Sequence, residues 1–252
     1  MNHAIELMLD HRSVRSFQDK EVTDDQLRWI LKSAQAASTS SFHQAYSIIG
    51  VNDGNKKQKL AELAGNQKHV ATNGRFLVFC LDLNRLWIAG NMEHTDMEKL
   101  AVSLESTEMF MVGVIDAALA AQNAALAAEA MGLGICYIGG LRNNLEQVSN
   151  LLKTPDRVIP LFGMAIGVPD NITGQKQRLP LEAVYHQEEY VQDEKTIAEQ
   201  LSAYNEEISE YYKLRTNGAR QDRWTEQVVS NLLAKQRLYI KDFLGNKNIP
   251  LR

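Results

Sequence analysis

The sequence predicts a globular fold that mixes helices and strands, and three observations carry that expectation. Hydrophobic residues make up 44% of the 252 positions, ample for a substantial core. Short apolar runs at 46–51, 76–83, 135–138 and 158–166 have the length and residue types of strands. Between and beyond them lie segments with helical spacing of apolar residues, among them an alanine-rich stretch from Thr107 to Met131.

Residues 3–9 read as a short helix, and His11-Arg12-Ser13-Val14-Arg15-Ser16-Phe17 follows at once. Two guanidiniums, an imidazole and two hydroxyls within seven positions suit a phosphate group, because arginine's planar fork matches phosphate oxygens in pairs. A solvated basic turn has the same composition, so only context decides. Thr23-Asp24-Asp25-Gln26 has the form of a capping box. Leu27, Ile30, Leu31 and Ala34 then mark one face of a helix ending near Ala37. The hydroxyl run Ser38-Thr39-Ser40-Ser41 is either a plain polar turn or a loop that offers donors to a ligand.

After the strand 46–51, a helix runs from Asn55 to Leu63 and is closed by Gly65. Asn66-Gln67-Lys68-His69 reads as a polar loop before the strand from Phe76 to Leu83. Residues 84–106 are mixed and charged, helix or excursion. The helix 107–131 is stopped by Gly132 and Gly134, and the next strand meets Gly139-Gly140, which lets backbone approach a flat ligand or simply makes a tight turn. Asn143-Asn144-Leu145-Glu146 resembles a second capping box, opening a helix through Leu152 before the strand Val158–Ile166. In the loop 170–180, Lys176 and Arg178 point the same way if the segment is extended. Amphipathic helices from Glu194 to Leu214 and from Asp222 to Ile240 end the chain, joined by a linker carrying Arg215 and Arg220. No repeat or obvious domain boundary interrupts residues 1–252, which read as a single domain.

Charge and composition narrow the function. Lys and Arg number 27 against 31 Asp and Glu, a net charge of −4, so no global field favours nucleic acid or an anionic membrane. Cys80 and Cys136 stand in separate apolar runs and read as free thiols of a reducing compartment, and no His/Cys spacing suggests a metal site. The opening residues show no basic stretch followed by an apolar one, so no secretory signal is expected. Asp116, Gln122, Asn123 and Glu129 argue that the long apolar helix is buried in protein instead of spanning a bilayer. A cytoplasmic protein is expected.

Taken together, HRSVRSF at 11–17, the hydroxyl run followed by Phe42 and Gln44, GNQKHV at 65–70, MGLG closing the alanine-rich helix, YIGGLRNN at 137–144, LFGMAIGVP at 161–169 and QKQRLP at 175–180 resemble the nitroreductase/flavin reductase family, in its type A NADPH nitroreductase and flavin reductase P branch. The resemblance covers nearly the whole chain. It implies an α+β fold with a central, largely antiparallel sheet flanked by helices, in an interlocked homodimer whose segment 194–252 wraps the partner subunit. It implies one FMN at each dimer groove. His11, Arg12, Ser13, Lys176 and Arg178 would hold its phosphate and ribityl end, and Arg15 would approach the pyrimidine edge of the ring. Thr39, Ser41 and Gln67 would bond ribityl or ring atoms, His69 would belong to the cofactor site, and the backbone of Tyr137, Ile138, Gly139 and Gly140 would line the ring. Arg215 and Arg220 would receive the 2′-phosphate of NADPH.

The implied activity is an FMN-dependent NADPH oxidoreductase of ping-pong type, passing hydride to nitroaromatics, quinones, azo compounds or free flavin, with no catalytic protein nucleophile. Alternatives are a different flavin reaction on the same fold or a non-enzymatic, redox-sensing flavoprotein. Three departures from the family pattern stand out: Thr39 in place of serine, Gln177 in place of proline, and His43 in place of an apolar residue.

Overall fold

A computed structural model describes residues 2–172, 174–234 and 236–252. The elements run in the order α1 (His3–Leu9), α2 (Asp24–Gln35), β1 (Tyr46–Val51), α3 (Gly54–Leu63), α4 (Lys68–Ala71), β2 (Arg75–Asp82), α5 (Asn84–Met92), α6 (Met97–Leu104), α7 (Thr107–Ala130), β3 (Gly134–Ile138), α8 (Leu145–Leu152), β4 (Val158–Gly167), α9 (Glu194–Arg215), α10 (Trp224–Ala234) and α11 (Ile240–Asn246). They form two compact units, one of residues up to 173 together with 237–252 and the other of residues 174–236.

In the first unit the four strands make one sheet in the order β1-β2-β4-β3, every pairing antiparallel. The fold is therefore α+β with an antiparallel sheet. β2 and β4 occupy the centre and are apolar on both faces, as strands covered on both sides must be. One face packs Ile30 and Ala34 of α2 and Ala120, Ala121, Ala124 and Ala128 of α7 against Leu77, Phe79, Ile135 and Met164. The other face packs Leu60, Leu63 and Val70 of α3 and α4 with Val148 of α8 against Phe76, Val78 and Ile138. The alanines of α7 let it lie close on the sheet and on α2. Gly113 comes so near Leu81 that a methyl group there has no room.

Local signals hold at several ends. Thr23 caps α2, with Gln26 reaching back to the Thr23 backbone, and Gly132 at φ 75° closes α7. α2 ends at Gln35 with Ala36 as its C-cap, next to the expected Ala37. Others give way to tertiary contacts. Residues 68–71 form the helix α4 in place of a loop, and 84–106 resolve into α5 and α6. Asn144 makes no capping bond, because its amide donates to the Leu63 carbonyl at 2.9 Å. The single helix expected from Asp222 to Ile240 is α10 and α11 instead. Arg237 binds the Asn143 side chain, the Tyr239 hydroxyl donates to the Arg142 carbonyl at 2.7 Å, and Phe243, Leu244 and Ile249 enter the core beside Leu81 and Ile159. Those burials outweigh the helical periodicity.

α7 is apolar and long enough to cross a membrane by length and composition alone, yet its buried residues line this unit's core. In the second unit, Tyr204, Ile208 and Tyr212 of α9 are buried together, with Leu179, Tyr211 and Trp224 packed against them.

Candidate functional site

The motif at 11–17 is drawn along the outer edge of β3. Ser13 bridges Ile135 in parallel, the Val14 amide donates to the Ile135 carbonyl at 2.8 Å, and Phe17 bridges Pro169. Gly134 permits this approach, since a Cβ there would lie within 3.0 Å of the Val14 side chain. His11 is fixed from the other side, its Nδ1 2.6 Å from Oε1 of Glu129 on α7. Arg12 pairs with Asp10 through its guanidinium. The exposed Arg15 makes no direct hydrogen bond or ion pair among the described residues. Its charge faces Cys136 and His69.

His69 is the most informative neighbour. Its Nε2 is buried with no hydrogen-bond partner among the described residues. Burial, then the nearby Arg15 charge, hold the imidazole below its usual pKa and so favour the neutral ring. A buried polar atom with no partner in its own chain is suited to a hydrogen-bonding ligand atom. Gln67 caps α4, and its side-chain amide donates to the Ala64 carbonyl at 2.8 Å. Gly140 sits against this turn: a Cβ there would collide with the Ala64 carbonyl and the Gln67 amide. The open space expected at the diglycine for a ligand is thus filled at Gly140 by the protein's own turn, and at Gly139 by the Arg142 guanidinium 3.1 Å away.

Tyr137 and Ile138 precede that turn on β3. The Tyr137 hydroxyl donates to Gln122 at 3.3 Å, and burial, with the Glu129 charge, pushes its pKa up. His11, Arg12, Ser13, Arg15, Gln67, His69 and residues 137–140 therefore gather around β3. A cavity of about 230 Å³ beside Arg12 and Glu129 adjoins them. A roomier cavity of about 640 Å³ lies between α2 and the opposite edge strand β1, lined by none of the expected site residues.

Thr39 and Ser41 are not part of this cluster. Their loop leads into β1, the other edge of the sheet, and is anchored at Asp116. Glu129 and Asp116 belong to the same helix and lie about 20 Å apart at the helical rise. Sequence reasoning took both carboxylates only as polar interruptions of an apolar helix. A carboxylate on so apolar a helix was the signal that each holds something in place.

In the second unit, Lys176 and Arg178 do not simply point together. Lys176 lies over the Tyr212 ring at 5.3 Å, while Arg178 donates to the Lys176 carbonyl at 2.6 Å. Gln177, the residue at the expected proline position, accepts from the Tyr204 hydroxyl through its carbonyl at 3.1 Å, a bond that needs no particular side chain. Arg220 stacks on the same Tyr212 ring at 4.3 Å, and Arg215 donates to the Tyr211 hydroxyl at 2.8 Å. Burial raises the Tyr212 pKa, but the Lys176 hydrogen bond and charge, with Arg220, outweigh it and leave the hydroxyl below its usual value. Four cations assigned by sequence to two different phosphates thus share one aromatic cluster.

Fold and site together define an α+β protein with arginine- and histidine-rich anion sites, and burial raises the pKa of the Cys136 thiol on β3 beside them. Cys80, fully buried, is an inert thiol pushed up to about 12. Residues 8–168 match the nitroreductase family and residues 176–252 its C-terminal domain, and the chain belongs to that family. It is 51% identical over 247 residues to an FMN reductase (NADPH) of Bacillus subtilis (strain 168), covering 98% of each chain. A Cr(VI) reductase of Pseudomonas sp. (strain G-1) is 43% identical over 242 residues, covering 96% of this chain and 97% of that protein. The structure of NfrA1 from B. megaterium superposes with a TM-score of 0.96 at 55% identity, covering 99% of this chain and 100% of that one. The NADPH:FMN oxidoreductase from Vibrio harveyi, complexed with NAD+, superposes at 0.86 with 36% identity over the full length of both chains.

Proposed function

We propose that the protein is an FMN-dependent NADPH oxidoreductase that reduces free flavin, nitroaromatics or quinones, donor and acceptor using one face of the site in turn. The observation that carries this reading is the unpaired Arg15 guanidinium beside the buried, partnerless Nε2 of His69, in a chain 51% identical to an FMN reductase (NADPH). FMN fits the residues present: it brings hydrogen-bonding ring atoms for His69, and a phosphate for a histidine and arginines. When bound, FMN supplies the hydride-accepting and hydride-donating chemistry. The chain's own residues bind and orient. In the first unit His11, held by Glu129, with Arg12 and Ser13 takes a phosphate end, and in the second unit Lys176 and Arg178 supply cations for a phosphate. Arg15 places positive charge at the ring's pyrimidine edge, and Arg215 and Arg220 take the donor's 2′-phosphate.

The separation of Thr39 and Ser41 from this cluster supports a site built from two copies of the chain, in which the 39–45 loop of one protomer completes the cluster of its partner. Exposed Met111, Ile115 and Leu119 form an apolar stripe at i, i+4 and i+8 on α7, available for such a dimer. Of the segment 194–252 expected to wrap the partner, the helices α9 and α10 remain proposed for that role, because Phe243, Leu244 and Ile249 pack in the core of the first unit. Two buried free thiols fit a reducing, cytoplasmic setting. The test is direct: purified protein is expected to be yellow, to release FMN on denaturation and to oxidise NADPH when an acceptor is present. A colourless protein that takes up no FMN refutes the proposal.

A further inference from the structure

The loop before β1 is held in an unfavourable backbone conformation by a residue that touches none of the proposed ligands. Of the four residues between Ser40 and Ala45, three lie in the left-handed region: Ser41 at φ 46°, Phe42 at 60° and Gln44 at 50°. None is glycine, and each carries a Cβ that crowds the backbone there. Such geometry persists only where the surroundings over-determine it.

Asp116 does so here. The residue is fully buried, and its two carboxylate oxygens serve the two ends of the turn. Oδ1 accepts the Ser40 amide at 2.9 Å and Oδ2 accepts the Ala45 amide at 3.0 Å. His43 Nδ1 adds a bond to the Ser40 carbonyl at 2.7 Å, which ties the turn to itself. Gly113, one helical turn earlier, brings α7 close enough for this clasp: a Cβ there would lie 3.2 Å from the Ala45 carbonyl. A carboxylate suits the task better than an amide. It accepts on both oxygens, whereas an asparagine must turn its own NH2 toward one of the two backbone donors.

We propose that Asp116 is a positioning residue for flavin: by clasping both ends of the 40–45 turn it sets where Thr39 and Ser41 stand, and so sets flavin affinity without contacting the flavin. This rests on the FMN reading above. Because the loop serves ribityl or ring atoms, its loosening weakens FMN and riboflavin equally, unlike the loss of a phosphate contact.

The test compares wild type with Asp116→Asn. Amide exchange is measured on the flavin-free protein, and FMN and riboflavin affinities are measured by fluorescence quenching. Asp116→Asn is expected to speed exchange only within about residues 39–46 and to weaken both flavins about tenfold, leaving their ratio unchanged. Affinities within about twofold of wild type despite a loosened loop overturn the proposal. So does faster exchange throughout α7 and the sheet, which marks a merely structural residue. Should Asp116→Asn fail to fold, Ser40→Pro removes one of the two clasping bonds from the loop side. Thr39, at φ −133° and ψ 150°, accommodates a following proline, and the same outcomes apply. A wild-type protein that binds neither flavin overturns the FMN reading and this proposal with it, while exchange in Asp116→Asn still reports whether the clasp exists.

Discussion

Replacing Gly140 by alanine is expected to cost stability and flavin binding together, whereas the same change at Gly139 costs little. At position 140 the added methyl meets the Ala64 backbone carbonyl and the Gln67 amide, neither of which is free to swing aside, because Gln67 Nε2 donates to that carbonyl at 2.8 Å. Overpacking of this kind costs about 1–3 kcal/mol, and loss of the Gln67 bond adds about 1 kcal/mol. A total near 3 kcal/mol lowers the melting temperature by about 6–12 °C in a chain of this size. At position 139 the nearest atom is a guanidinium nitrogen of Arg142 at 3.1 Å; its other nitrogen donates to the Leu161 carbonyl at 2.7 Å, and a tilt of a few tenths of an ångström relieves the contact while keeping that bond. The cost there is within about 0.5 kcal/mol. Thermal melts of the flavin-free variants, followed by FMN titration, check both halves. Gly140→Ala should melt well below Gly139→Ala and bind FMN more weakly through its displaced Gln67. Equal melting temperatures for the two variants would refute the close packing between Gly140 and the 64–67 turn.

Other expectations follow from the same geometry. Glu129→Gln removes the charge holding His11, so FMN affinity should fall about tenfold while riboflavin affinity changes little; an equal loss for both places His11 away from the phosphate. Arg220→Ala should raise KM for NADPH about tenfold and leave KM for NADH nearly unchanged, and parallel changes remove Arg220 from 2′-phosphate recognition. Mixed dimers of Arg15→Ala with a Thr39→Val/Ser41→Ala chain should regain one working site per dimer, as a composite site requires; activity no higher than in either parent argues for a site within one chain. His69 sets a pH dependence. Its folded pKa lies below the unfolded value of 6.5, so its contribution is present above pH 6.5 and is lost as pH falls through the folded pKa. The flavin-free protein should therefore lose melting temperature below about pH 6.5, and His69→Gln should flatten that decline.

The sequence by itself determined much that is local. Thr23 to Gln26 specify their capping box, Gly132 ends α7 with the left-handed conformation that glycine favours, and the apolar runs become the four strands, because caps, turns and periodicity depend on neighbours a few residues away. The motifs also identified the residues that gather around β3, though not the reason for Gly140, whose missing side chain makes room for protein instead of ligand. Only the tertiary structure decided the strand order, the burial of α11 in its own core, and the grouping of Lys176 and Arg220 on Tyr212. It alone gave Asp116 and Glu129 their roles. Each carboxylate serves a backbone or side chain far away along the chain, Ser40 and Ala45 for one and His11 for the other. Local periodicity carries no record of such pairings, which arise when a buried charge must find its donors wherever the packed helix happens to bring them.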